Sequence, residues 1–168
     1  VTDAFYNQTS ITIGSGDTIS REINLQRIVG RVEFMATDAI QSNLKQFEIQ
    51  LTGYPNKFNL LTGKGIQSAN EVTINHLFTA EETGKVNNIH SLLSFIPEEN
   101  KSMGVKLTAT DTLDRYLWSY SIGSVIPQVN KLLRYSGKLY SPRSSSESLT
   151  LFLENINWGD SINISLDN

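Results

Sequence analysis

"LQRIVGRVEF", residues Leu25 to Phe34, lies inside a run that stays extended and apolar-rich from Ile19 to Ala36. Strands in globular proteins usually hold about five or six residues, so such a run is either one very long strand or a path that changes partners. Parity decides between these. Ile23 and Leu25 share one parity, whereas Ile28, Gly30, Val32, Phe34 and Ala36 share the other, and the polar Gln26 and Arg27 stand between. Side chains alternate along a strand, so a slip of one residue exchanges its faces. The pattern predicts a bulge or a change of sheet at Gln26–Arg27, with two consecutive strands forming one long path.

Outward from this run the hydrophobic period stays near two. Ile11 and Ile13 alternate with Thr12 ahead of the turn residues Gly14 to Asp17. Thr37 and Asp38 are placed to cap a short helical turn through Leu44. Phe47, Ile49 and Leu51 then alternate with Glu48 and Gln50, and further short strands are predicted at Phe58–Leu61, Val72–Asn75, Leu92–Ile96, Val105–Ala109, Tyr116–Ile122, Leu132–Tyr140, Leu149–Leu153 and Ile162–Leu166. Roughly ten strands at a spacing of about 8 to 15 residues, with almost no helix, predict an all-β sandwich. The 168 residues are read as one domain, 1–168, that is a whole domain or a fragment of a longer exported protein.

Composition removes several classes of function. A net charge of −3 offers no broad basic field to a nucleic-acid backbone, so no nucleic-acid partner is expected. The absence of cysteine excludes disulfides, thiolate-bound metal and a thiol nucleophile. His76 and His90 lack a second ligand at metal-binding spacing and read as surface or loop residues. No nucleophile elbow, phosphate loop or zinc-protease motif occurs. The pairs Glu81/Glu82 and Glu98/Glu99 are sequence neighbours in polar loops, whereas glycosidase carboxylates face each other about 5 to 9.5 Å apart across a cleft. The expectation is a non-enzymatic protein with no cofactor. Tyr116, Trp118 and Tyr120 share one face of a predicted strand. That face, continued by Ile122, reads as the core side, because Leu117, Ser119 and Ser121 occupy the other; the alternative is a row of rings stacking on sugars. Lys131, Arg134, Lys138 and Arg143 interleave with apolar residues as the solvated face of a strand would.

Five segments in order, "INLQRIVGRVEFMATDAI" (23–40), "FNLLTGKG" (58–65), "SLLSFIPEENKSMGVKLTATD" (91–111), "VIPQVNKLLRYSGKLYS" (125–141) and "NINWGDSINISL" (155–166), resemble the fimbrillins of Bacteroides-type bacteria, especially their anchor-like fimbrial subunits. The resemblance implies a transthyretin-like, Greek-key sandwich of a fimbrial subunit or anchor module, exported as a lipoprotein to the outer membrane and fimbrium. It would hold the membrane only through a lipid anchor absent from this chain. Its partners would be other fimbrial subunits, joined by strand exchange, and host or bacterial surface ligands. In that family a trypsin-like protease trims an N-terminal strand after an arginine. Arg21 and Arg27 are the matching positions, and Ile23, Leu25, Ile28, Val32 and Phe34 mark the candidate removable strand. Removing a strand leaves an apolar groove and unpaired backbone that a neighbour's strand fills. The triplets Asp17-Thr18-Ile19, Asp111-Thr112-Leu113 and Asp160-Ser161-Ile162 resemble the O-glycosylation triplet of these bacteria. The alternative function is a carbohydrate-binding sandwich of a surface glycan-uptake system.

Overall fold

The computed structural model describes residues 1–12, 14–16, 20, 22–142, 147–155 and 163–164. Among them the strands, in chain order, are β1 (Phe5–Tyr6), β2 (Ile23–Asn24), β3 (Gln26–Arg27), β4 (Val29–Ala36), β5 (Leu44–Thr52), β6 (Pro55–Asn59), β7 (Lys64–Gln67), β8 (Val72–Leu77), β9 (Asn88–Phe95), β10 (Met103–Asp111), β11 (Tyr116–Val125), β12 (Lys131–Gly137), β13 (Thr150–Asn155) and β14 (Asn163–Ile164). A turn of 3-10 helix occupies Ala80–Glu82.

Two four-stranded sheets face each other. One has the order β11-β10-β5-β8 and is antiparallel throughout. The other has the order β13-β12-β4-β9, with β12 parallel to β4 and its other pairs antiparallel. The alternating residues predicted to face inward do so: Val32, Phe34 and Ala36 of β4, Phe47, Ile49 and Leu51 of β5, and Val105, Leu107 and Ala109 of β10 are all in the buried core. The chain is thus an all-β sandwich, as the period of two predicts.

From Ile23 onward the long path divides more finely than parity alone indicates. β2 pairs with β14, β3 pairs with β1, and only β4 enters the main sheet, between β9 and β12. Breaks fall at Leu25 and Ile28, on either side of the Gln26–Arg27 step, and each short piece pairs with a different neighbour. Gly30, inside the opening stretch, is required by a close approach. The loop that carries the chain from β11 to β12 crosses β4 there, and a Cβ at position 30 would lie 2.3 Å from the Gln128 carbonyl oxygen. That neighbour is backbone and cannot rotate away. Gly30→Ala is expected to cost roughly 2 kcal/mol or more in urea unfolding, whereas Gly123→Ala, where an added Cβ meets nothing within 4 Å, should be close to neutral.

The helical turn expected after Thr37 does not form. Asp38 instead accepts from the Leu139 amide at 2.8 Å, the Tyr140 amide at 3.0 Å and the Ser141 hydroxyl at 2.8 Å. A carboxylate that satisfies three distant donors cannot also cap a local helix. It ties the end of β4 to the segment following β12.

Candidate functional site: the open edge between the sheets

β8 ends one sheet and β9 ends the other, and the two edges lie side by side. Between them runs a groove of about 230 Å³ whose lining includes Phe47, Ile49, Ile74, His76, Ile89 and His90. Its floor is apolar because Phe47 and Ile49 are inward residues of β5, one strand in from the edge. Ile74 and Ile89 remain exposed at its rim. At the far end of β9 the β6–β7 hairpin packs against the sheet through Phe58 and Phe95, ring centroids 5.3 Å apart, and the Gly65 amide donates to the Ile96 carbonyl at 2.7 Å.

One end of the groove is closed by aromatic and ionisable side chains. The His90 ring lies 4.5 Å from Phe47 and 5.3 Å from His76, and its Nε2 is 2.7 Å from the Tyr140 hydroxyl. Burial pushes the Tyr140 phenol above its ordinary range, and the negative charges of Asp38 and Glu82 add to this. The phenol therefore stays neutral and shares a hydrogen bond with His90 Nε2, whose donor is set by the imidazole tautomer. The His90 pKa is lowered to about 4, first by burial and then by the nearby His76, against an opposing pull from Glu82. Glu82 is lowered to about 2, first by the Thr79 amide and then by its hydrogen bond with His76. His76 Nε2 and Glu82 Oε1 are 2.9 Å apart. Each histidine thus has its Nε2 engaged, and among the described residues no three His, Cys, Asp or Glu side chains gather as a metal site. Both histidines, expected on the surface or in loops, occupy facing edge strands, half-buried. No spacing signal could have joined them, because they lie on different sheets.

Residues 1–137 match a family described as a family of unknown function, DUF6562. The chain belongs to that family. No curated protein matches the sequence. A solved structure described as that of a "putative cell adhesion protein" from Bacteroides ovatus is similar in fold, with a TM-score of 0.51 and 14% identity over 81% of this chain and 48% of that one. This DUF6562 chain therefore spans about half the length of that protein. The crystal structure of listeriolysin O also matches, at a TM-score of 0.29 and 12% identity over 79% of this chain and 23% of that one, too distant to carry an argument.

The positions singled out from the sequence are dispersed over this DUF6562 fold. Arg21 lies outside the described residues. Arg27, in β3, is held by Asp3 through Nε at 2.7 Å and Nη2 at 2.8 Å, and its guanidinium stands 4.8 Å from the centre of the Phe5 ring. Ile23, Leu25 and Ile28 are half-buried in the short pieces before β4, while Val32 and Phe34 are fully buried within it. A bulge between Ala109 and Thr110 takes Tyr116 out of the aromatic row: Trp118 pairs with buried Ala109 and Tyr120 with buried Leu107, but Tyr116 pairs with Thr110 and is 80% exposed. Trp118 packs against the core, as the parity of β11 predicts. Arg134, read as a solvated charge, is 2.8 Å from Glu33, a carboxylate only 3% exposed that Arg31 also reaches at 2.8 Å. Of the three triplets, those at 17–19 and 160–162 lie outside the described residues; Thr112 is exposed in the turn between β10 and β11. There Asp111 is buried and accepts from the Leu113 and Arg115 amides, each at 2.9 Å. Its pKa is lowered, first by the Arg115 amide.

Proposed function

We propose that this chain is a non-enzymatic, fimbrillin-like module of the cell surface, with a structural and adhesive role carried by β-strand pairing with other subunits. The observation that carries the reading is the open groove between β8 and β9. An extended segment laid along it can pair its backbone with an edge and sink alternate side chains onto Phe47, Ile49 and Ile74. The sandwich shared with the Bacteroides ovatus protein supports the same assignment. The fimbrillin resemblance of the five segments adds the export route and the fimbrial partners.

In this reading protease trimming acts at Arg27. Cutting there releases β1 to β3 and leaves β4, which has a partner on each side, in place. The released segment packs on the β6–β7 hairpin: Tyr6 meets the Phe58 ring at 5.1 Å. Its departure exposes Phe58 next to Phe95. Limited trypsin digestion followed by mass spectrometry, size-exclusion chromatography and light scattering tests this. A cut after Arg27 should turn monomers into a ladder of oligomers, and Asp3→Asn, which loosens the guanidinium, should speed the cut several-fold. A chain that is cut there and remains monomeric would end the strand-exchange reading.

A further inference from the structure

The opposite edge of the second sheet poses a different problem. Every residue of β13 is exposed, and three consecutive ones are apolar: Leu151 is 54% exposed, Phe152 43% and Leu153 52%. Leu151 pairs with Tyr135 and Leu153 with Leu133, both core residues, so these leucines point to the inner face of the sheet. Phe152 pairs with Arg134 and points to the outer face. The strand thus presents apolar side chains on both faces beside an edge that, among the described residues, has no strand partner. It contains no lysine and no proline, the residues that usually block such edges. Its single charge, Glu154, is 3.7 Å from Arg134 of its own sheet.

We propose that β13 is a self-association edge at which two copies of this chain pair antiparallel about a two-fold axis passing through Phe152. Three constraints select this arrangement. Continuing the two inner faces on one side of a joined sheet requires residues of equal parity to stand opposite each other. With Phe152 opposite Phe152, Leu151 falls opposite Leu153, so all three apolar residues meet apolar partners. Glu154 then falls opposite Thr150, whereas parallel in-register pairing would set Glu154 against Glu154. The contact is isologous and closes at two copies, so it builds a dimer and no fibre. It does not depend on strand exchange at the β8–β9 groove and can hold or fail independently of it. Six residues per copy make a contact well below the roughly 800 Å² per partner of a standard interface, so the dissociation constant should be on the order of 100 µM.

The absence of native cysteine makes the test clean. Phe152→Cys, treated with a short bismaleimide at high protein concentration, should give a covalent dimer, and Thr112→Cys, an exposed position in the turn between β10 and β11, should not. Sedimentation velocity over about 5 to 500 µM should show wild-type monomer passing into dimer. Phe152→Lys, which sets like charges face to face, should stay monomeric with an unchanged thermal midpoint. A wild-type monomer throughout that range, equal crosslinking of both cysteine variants, or a dimer that survives Phe152→Lys would each overturn the proposal.

Discussion

Phe34→Ala should lower stability by about 3 to 5 kcal/mol, a large fraction of the roughly 5 to 15 kcal/mol that holds a typical domain folded. Phe34 has no exposed surface and stacks on Tyr135, ring centroids 5.7 Å apart at 18°. Its strand is flanked by β9, where His90 stands opposite it, and by β12, where Tyr135 does. Truncation therefore opens a cavity in the middle of a sheet braced on both sides, where the walls relax poorly. Ile23→Ala is the control. Ile23 is half-buried in the two-residue β2, outside the main sheet, and its truncation should cost about 1 kcal/mol or less. Urea denaturation followed by tryptophan fluorescence checks both. Comparable small losses at the two sites would mean that β4 is as dispensable as the segment before it.

Acid should weaken the fold in a window set by His90. Its folded pKa of about 4 lies below the ordinary 6.5 because burial disfavours the imidazolium. As pH falls through 6.5 the unfolded chain takes up a proton that the folded chain refuses, so stability declines until the folded ring also titrates near pH 4. The whole shift sets an upper bound of about 3 kcal/mol, and the ring's partial exposure reduces this to about 2. Below that window Glu82 contributes separately. Its depressed pKa gives stability that is complete above about 4.5 and is lost as pH falls toward 2. His90→Gln keeps a side-chain amide near the Tyr140 hydroxyl but has no proton to gain. Its stability should be nearly flat from pH 7 to 4 while the wild-type chain loses about 2 kcal/mol. Matching wild-type and variant profiles would place the acid sensitivity elsewhere.

The legible part of the fold is the part that depends on alternation. β5 and β10 could be found from period two, because a strand half-buried in a sandwich needs one apolar face and the sequence displays it, whereas β9 shows as a short apolar run, Leu92 to Ile96, stopped by Pro97. The partner change near Gln26–Arg27 was visible for the same reason, as a swap of parity. Thr37–Leu44 was misread because Asp38 has the chemistry of a helix cap, and only the return of residues 139–141 shows that its carboxylate is already used. Tyr116 was misplaced because a one-residue bulge leaves no trace in composition.

The sequence by itself determined the class of fold, the inward residues of the main strands and the absence of cysteine chemistry, since each follows from residue type and local period. The tertiary structure alone decided which strands are edges, that His76 and His90 meet across the groove, and that Leu151, Phe152 and Leu153 stay uncovered. Those features arise from the order of strands in two sheets, and strand order is set by pairings between distant segments that no local pattern encodes.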